Sequence, residues 1–224
     1  MKTSLVKICG IRDASTARAI ASLPVDYVGL VFAESKRKVT PEQARDVIAA
    51  LREADGRQQF AGVFMNPVAE EVSRIVSEVP LDIVQLHGHV SQTWISAFKR
   101  QFPHILVWKA LAVNAEDKHT PADVFARLER FAGNIDGLLL DAYDPKSGGG
   151  TGRTFRWDLI PPYRVWADAQ RIPLFIAGGL HADNVGGLLA EFPLSNVDVS
   201  SGVETDGHKD LDKIRCFVER VKLA

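Results

Sequence analysis

Two side chains with acid–base chemistry each close a short apolar stretch of the sequence. Cys9 stands immediately before Gly10, and Asp141 follows Leu138-Leu139-Leu140. A thiol with an ordinary pKa near 8.5 is a few per cent thiolate at neutral pH, and a buried carboxyl holds its proton to higher pH than an exposed one. The pair could therefore serve as base and acid on one substrate if the fold brings them together. Separately, a small buried thiol and a helix-capping aspartate would explain them equally well.

Glycines follow two further apolar stretches, at Gly178-Gly179 and at Ser201-Gly202. Glycine lets backbone N–H groups approach an anion closely, so these four residues predict a phosphate site. The alternative is two turns that need glycine for their geometry alone. A third glycine-rich stretch, residues 144–154, fits neither the P-loop nor the GxGxxG motif. It could close over a ligand as a mobile lid, or be no more than a flexible loop.

Arg37 and His87 are the remaining candidates for ligand contacts. Arg37 lies in a polar loop after the second apolar stretch and could hold a carboxylate with two parallel hydrogen bonds, although a surface charge cluster is the default interpretation. His87 and His89 raise the question of a metal, but their spacing matches no paired metal motif, and we predict no metal site. Lys7 is expected to point away from Cys9, on the other face of the strand.

Apolar stretches and amphipathic segments alternate along the whole chain, which predicts eight strands and eight helices. The predicted strands are Leu5–Cys9, Tyr27–Phe32, Phe60–Met65, Leu81–Leu86, Ile105–Leu111, Ile135–Leu140, Pro173–Ala177 and Asn196–Val199. The predicted helices are Ala14–Leu23, Pro41–Ala54, Pro67–Val79, Ser91–Phe102, Pro121–Ala132, Trp157–Ala169, Ala182–Ala190 and Asp210–Lys222. Asp13 and Thr40 are expected to cap the first two helices, with Gln43 completing a capping box at the second.

This order predicts an α/β fold with a single (β/α)₈ barrel, a TIM barrel, covering residues 1–224. The strands are rich in Val, Ile and Leu rather than alternating, as parallel strands covered on both faces are. An open doubly wound sheet is the rival, but it usually carries a glycine fingerprint after its first strand. In a barrel all strand carboxyl ends meet at one mouth, which would gather every candidate named above.

Composition limits the partners and the compartment. The chain has 224 residues and a formal net charge of -1, so nothing draws it generally to nucleic acid. No apolar run approaches the roughly 20 residues that cross a bilayer, so no membrane span is expected. The two cysteines, Cys9 and Cys216, could pair, but two free thiols in a reducing cytoplasm are favoured. Cys216 is interpreted as a core residue of the last helix.

Several motifs occur in an order that resembles one known family, the phosphoribosylanthranilate isomerases of tryptophan biosynthesis. Each motif is weak alone, but the ordered set is specific and spans the chain. One departure is Arg156, where the family often has aspartate before the tryptophan. The matching stretches are Lys7-Ile8-Cys9-Gly10-Ile11, Ser35-Lys36-Arg37, Gln85-Leu86-His87-Gly88, Leu139-Leu140-Asp141, Gly149-Gly150-Thr151-Gly152, Gly178-Gly179-Leu180 and Asp198-Val199-Ser200-Ser201-Gly202-Val203-Glu204.

The resemblance implies a cofactor-free Amadori rearrangement of N-(5-phosphoribosyl)anthranilate to 1-(2-carboxyphenylamino)-1-deoxyribulose 5-phosphate. It implies that Asp141 is the general acid that opens the furanose ring and Cys9 the general base that takes the C2 proton. Arg37 would bind the anthranilate carboxylate, and His87 would contact the same end of the substrate. The phosphate would lie on the backbone of Gly178, Gly179, Ser201 and Gly202.

Two other functions stay open at this point. A related phosphosugar enzyme, the aldose–ketose isomerase of histidine biosynthesis, would have aspartate where Cys9 stands. A non-catalytic barrel that binds a phosphorylated metabolite would keep the glycines but would need neither Cys9 nor Asp141. The phosphorylated small molecule is the expected partner in every case, and the choice between monomer and homodimer is left open.

Overall fold

The structure, a computed structural model, describes residues 3–113, 120–142 and 157–224, with the backbone alone at 142. The strands are β1 Val6–Cys9, β2 Tyr27–Val31, β3 Gln59–Met65, β4 Ile83–His87, β5 Leu106–Val113, β6 Gly137–Ala142, β7 Leu174–Ile176, β8 Asn196–Val199, β9 Glu204–Thr205 and β10 His208–Lys209. The helices are α1 Ala14–Ile20, α2 Pro41–Glu53, α3 Ala69–Glu78, α4 Gln92–Gln101, α5 Pro121–Glu129, α6 Ile160–Gln170, α7 Ala182–Glu191 and α8 Leu211–Lys222.

Strands β1 to β8 form a closed parallel barrel in chain order. The last strand pairs with the first, with Val6 opposite Val197 and Ile8 opposite Val199. The predicted TIM barrel is therefore confirmed, and the open doubly wound sheet is wrong because such a sheet keeps two unpaired edges.

The predicted caps at the starts of the first two helices are confirmed. The Asp13 carboxylate accepts from the Thr16 N–H at 2.8 Å, and Thr40 and Gln43 form the expected capping box. Several strands and helices end a few residues away from the predicted positions. For example, α1 ends at Ile20, whereas the predicted helix ends at Leu23. The two-residue strands β9 and β10 form an antiparallel hairpin that the sequence did not predict, because such short strands have no readable periodicity. The predicted lid over residues 144–154 lies outside the described residues.

Aromatic rings fill the lower part of the barrel interior. Trp108 and Phe175 have ring centroids 4.6 Å apart, and Tyr27 packs edge-on to both at 5.0 and 5.5 Å. The cluster includes Ala61 and Leu139, so side chains from five strands meet there, all within the barrel. This plug of apolar side chains gives the groups above it a floor of low polarity.

Two other expectations concern the surface. Cys216 is exposed, so its assignment to the core is wrong: its neighbours Ile214, Phe217 and Val218 are buried on the other side of α8. Both cysteines are free thiols, as predicted. Within the described ranges, no helix is both long and apolar enough to cross a bilayer.

Phe175→Ala is expected to lower the free energy of unfolding by about 3–5 kcal/mol, because it removes a fully buried ring from the plug and leaves a cavity. Urea unfolding followed by circular dichroism measures the change. Phe125→Ala is the matched control: this ring is 37% exposed on α5, and the substitution should cost far less. Equal losses for the two variants would contradict the packing described here.

Candidate active site

A buried ion pair lies inside the barrel beneath the mouth. Lys7 and Asp198 are opposite each other on β1 and β8, and Lys7 Nζ lies 3.0 Å from Asp198 Oδ1. Lys7 is fully buried and Asp198 is 8% exposed. The expectation that Lys7 points away from Cys9 is therefore wrong. Side chains two positions apart on a strand share a face, so Lys7 and Cys9 both point inward while Ile8 between them faces the helices.

The Cys9 thiol lies at the carboxyl end of β1, directly above this pair. It packs with Val31 and Val63, and a Cβ placed on the neighbouring Gly29 would come within 2.7 Å of its Sγ. A side chain at position 29 would thus displace the thiol. Burial raises the pKa of Cys9, and the charge of Asp198 adds to the rise, whereas the ammonium groups of Lys7 and Lys209 oppose it.

The Asp141 carboxyl lies near the end of β6 and interacts electrostatically with Lys7 and Asp198. Burial raises its pKa to about 7, the negative charge of Asp198 adds to the rise, and Lys7 opposes it. About half of the molecules therefore hold a proton on Asp141 at neutral pH. The direction of this shift agrees with the predicted effect of burial on the carboxyl, and the role of Asp141 stays a prediction.

Lys7 and Asp198 thus act electrostatically on both Cys9 and Asp141. Cys9 and Asp141 lie at the carboxyl ends of two strands of one closed parallel barrel and alternate with residues that face the helices, so both groups face the same mouth. The structure brings the thiol and the carboxyl together around a single space, which the sequence required but could not establish.

His87 is the last residue of β4, and its side chain also points into the barrel. Its Nε2 lies 2.8 Å from the side-chain amide of Gln85, with which it shares a hydrogen bond. Burial, together with the charges of Lys109 and Lys7, lowers the pKa of His87 to about 3. The ring is therefore neutral at physiological pH, and what it could offer a ligand is a hydrogen bond rather than a charge. Its role as a substrate contact stays a prediction.

Arg37 is 9% exposed, so the default interpretation as a surface charge is wrong. Its Nε donates to Glu204 Oε1 at 2.6 Å and its Nη2 to Glu204 Oε2 at 2.8 Å. Its stem crosses the end of β1, where a Cβ on Gly10 would lie 2.6 Å from Arg37 Cδ. Arg37 is thus held at the rim beside Cys9, and its contact with a carboxylate of the substrate stays a prediction.

The two glycine turns lie against each other at the mouth. Gly178 and Gly179 have φ of +86° and +63°, a conformation that other residues rarely adopt. A Cβ on Gly202 would lie only 1.9 Å from the carbonyl oxygen of Leu180, so the loops after β7 and β8 are in backbone contact. Ser201 opens a single 3₁₀ turn, Ser201–Val203. Phosphate binding by these residues stays a prediction.

Four charged residues that the structure places in this site have no role there predicted from the sequence: Lys7, Asp198, Glu204 and Lys209. A signal existed for the first two, because a charged residue inside an otherwise apolar strand is rarely buried without a partner. The other two depend on the short hairpin. Within the described ranges, no three His, Cys, Asp or Glu side chains cluster as metal ligands would.

Comparisons with known proteins find the same family over nearly the whole chain. A family model described as N-(5'-phosphoribosyl)anthranilate (PRA) isomerase matches residues 6–220. The N-(5'-phosphoribosyl)anthranilate isomerases of Brevibacillus brevis and Bacillus subtilis are 44% and 38% identical to the chain, over 97% and 99% of it and 93% and 96% of their own lengths.

Two crystal structures give the same result in three dimensions. The phosphoribosyl anthranilate isomerase of Thermotoga maritima is 35% identical with a TM-score of 0.79. A phosphoribosyl anthranilate isomerase in complex with reduced 1-(o-carboxyphenylamino)-1-deoxyribulose 5-phosphate is 32% identical with a TM-score of 0.77. Each match covers 99% of this chain and 100% of the other.

The ion pair predicts opposite shifts of the Cys9 pKa in two variants. Asp198→Asn removes a negative charge near the sulfur and should lower the thiol pKa, whereas Lys7→Met removes a positive charge and should raise it. The pH dependence of alkylation by iodoacetamide measures this in a Cys216→Ser background, with Asp46→Asn on the exposed face of α2 as control. A shift in the same direction for both variants, or none, would contradict the arrangement.

Proposed function

The chain belongs to the N-(5'-phosphoribosyl)anthranilate isomerase family, and we propose that Asp141 is its general acid and Cys9 its general base. The protein is an isomerase of tryptophan biosynthesis that converts N-(5'-phosphoribosyl)anthranilate to 1-(2-carboxyphenylamino)-1-deoxyribulose 5-phosphate. The observation that carries the proposal is a carboxyl and a thiol above one buried ion pair, with Lys7 and Asp198 as their shared charged neighbours.

The first step needs an acid. Asp141 donates its proton to the ring oxygen of the furanose, the bond from C1 to that oxygen breaks, and the nitrogen lone pair forms the C=N bond of a Schiff base. An ordinary aspartate would almost always lack this proton at neutral pH. The raised pKa of Asp141, about 7, supports the assignment because acid and conjugate base are then comparably populated.

The second step needs a base. The Cys9 thiolate takes the proton from C2, and the electron pair of that C–H bond forms C1=C2 while the C=N pair returns to nitrogen, which gives an enolamine. Tautomerisation of the enolamine then yields the ketone. The Cys9 pKa lies above its ordinary value, so the form with thiolate and protonated Asp141 is a minority at neutral pH. In that form the Lys7 ammonium stabilises the Cys9 thiolate, and the negative charge of Asp198 favours the proton on Asp141.

Different groups at the mouth would bind the two ends of the substrate. Arg37 binds the anthranilate carboxylate, supported by its burial at the rim and its guanidinium chemistry. The backbone of Gly178, Gly179, Ser201 and Gly202 holds the phosphate, supported by the direct contact between the two loops. His87, as a neutral ring, contributes a hydrogen bond near the aromatic end. The ligand named for the related crystal structure carries both a carboxyphenyl group and a phosphate.

We also propose that residues 1–224 act as one catalytic domain on a small phosphorylated substrate in the cytoplasm, with neither nucleic acid nor membrane as partner. The pairing of β1 with β8 supports one domain, as does the Lys222 ammonium, which donates to the Ser4 carbonyl at 2.8 Å and ties the ends of the chain. The two free thiols support a reducing compartment. Monomer and homodimer both stay compatible with this proposal.

Cys9→Ala and Asp141→Asn are each expected to lower kcat by about 10²–10⁴-fold, since each removes one positioned proton transfer. Calorimetry with reduced 1-(o-carboxyphenylamino)-1-deoxyribulose 5-phosphate should show binding largely retained in both. Cys216→Ala, which removes the exposed thiol, should leave turnover unchanged. Near-normal turnover in Cys9→Ala would overturn the assignment of the base, and near-normal turnover in Asp141→Asn that of the acid.

A further inference from the structure

Three charged side chains form a buried cluster at the rim that the proton transfers do not use. Glu204 accepts two hydrogen bonds from Arg37 and a third, at 2.8 Å, from Lys209. The side chains of Glu204, Lys209 and Arg37 are only 5%, 4% and 11% exposed. Burying charge is costly, so one anion between two cations at this place calls for an explanation.

The first observation is the geometry of the fork, the pair of hydrogen bonds by which the Arg37 guanidinium holds the Glu204 carboxylate. A guanidinium offers a carboxylate two edges, one formed by Nε and Nη2 and the other by the two terminal nitrogens. Glu204 takes the first edge, with distances of 2.6 and 2.8 Å. The edge formed by Nη1 and Nη2 is therefore the one left for a second carboxylate.

The charge balance is the second observation. A glutamate next to Arg37 would by itself cancel the attraction for a substrate carboxylate. Lys209 prevents this, because its ammonium shares the same Oε1 and leaves the cluster with two cations and one anion. Burial alone would raise the pKa of Glu204, but its hydrogen bonds from Arg37 and Lys209 lower it to about 2, so it stays ionised.

The backbone holds both partners of the fork in place. The Glu204 carbonyl accepts from Lys213 Nζ at 2.9 Å, at the start of the hairpin formed by β9 and β10. Arg12 ties the two loops together: its Nη1 donates to the Lys36 carbonyl at 2.7 Å and its Nη2 to the Gly207 carbonyl at 3.0 Å. The loop that carries Arg37 and the hairpin that carries Glu204 therefore cannot separate easily.

We propose that Glu204 is a positioning residue that holds Arg37 by its Nε–Nη2 edge, so that the Nη1–Nη2 edge receives the carboxylate of the anthranilate ring. This inference rests on the proposed role of Arg37. An arginine fixed before the substrate arrives loses less conformational entropy on binding. Glu204 thereby sets the preference of the mouth for an aromatic amine that carries a carboxylate.

Two probes separate this role from a general structural one: the reduced 1-(o-carboxyphenylamino)-1-deoxyribulose 5-phosphate, and the same compound without the ring carboxylate. In calorimetry, Glu204→Gln should lower the affinity for the first probe about tenfold. The affinity for the second probe should stay within about twofold of the wild-type value. In turnover assays KM should rise while kcat changes little. Glu34→Gln, on an exposed side chain in the loop before Arg37, is the matched control and should change neither affinity.

The outcomes are distinct. If Glu204→Gln lowers the affinity for both probes equally, or changes neither affinity, the proposed role of Glu204 is overturned. Arg37→Met tests the premise: if it leaves the affinity for the carboxylate probe unchanged, the proposed role of Arg37 fails and this inference falls with it. If Arg37→Met weakens that probe and Glu204→Gln does not, only the inference about Glu204 fails.

A measurement on the wild type covers the case in which Glu204→Gln does not fold. The ¹⁵N signal of Arg37 Nε–H, held by Glu204, should stay at the same position and exchange slowly with water when the carboxylate probe is added. Only signals of the terminal nitrogens should move. A loss or large shift of the Nε–H signal would mean that Arg37 releases Glu204 on binding, and this would overturn the proposal.

Discussion

The site depends on one ion pair inside the barrel, where burying a charge costs free energy. Lys7 and Asp198 lie 3.0 Å apart inside the barrel, above a plug of aromatic rings and below the mouth. Neither ion could be buried alone, because loss of one partner of such a pair typically costs about 3–5 kcal/mol. Held together, they provide a fixed dipole under the substrate. Its positive end favours the thiolate of Cys9, and its negative end favours the protonated form of Asp141.

This arrangement follows from barrel closure. Lys7 and Asp198 are 191 residues apart in sequence and become neighbours only because β8 returns to pair with β1. The same closure brings the loops after β7 and β8 together, where Gly202 packs on Leu180. The chemistry at the mouth and the stability of the barrel thus share one set of contacts. Burial favours the protonated form of Asp141, which is uncommon for an aspartate at neutral pH, and such functional burial comes at the expense of stability.

Much of the fold could be predicted because its signals are local. Apolar strands, helix caps and their alternation identified the barrel and the mouth, and strand ends identified Cys9 and Asp141. The orientation of Lys7 was predicted wrongly, although the two-residue period of a strand was enough to place it beside Cys9. The fork between Arg37 and Glu204 could not be predicted, since it joins residues 167 apart through a hairpin with strands of two residues. Long-range polar pairs leave no periodic trace in a single sequence.

The most direct test of the account is the titration of Asp141 itself. The ¹³Cγ resonances of aspartate in labelled protein report each carboxyl separately as pH is varied. We expect Asp141 to titrate at about 7, and its pKa to fall when Asp198 is replaced by asparagine, because one raising charge is then lost. If Asp141 titrates near 4 in the wild type, or its pKa does not respond to Asp198→Asn, burial and the ion pair do not together set the pKa of the acid, and the account fails.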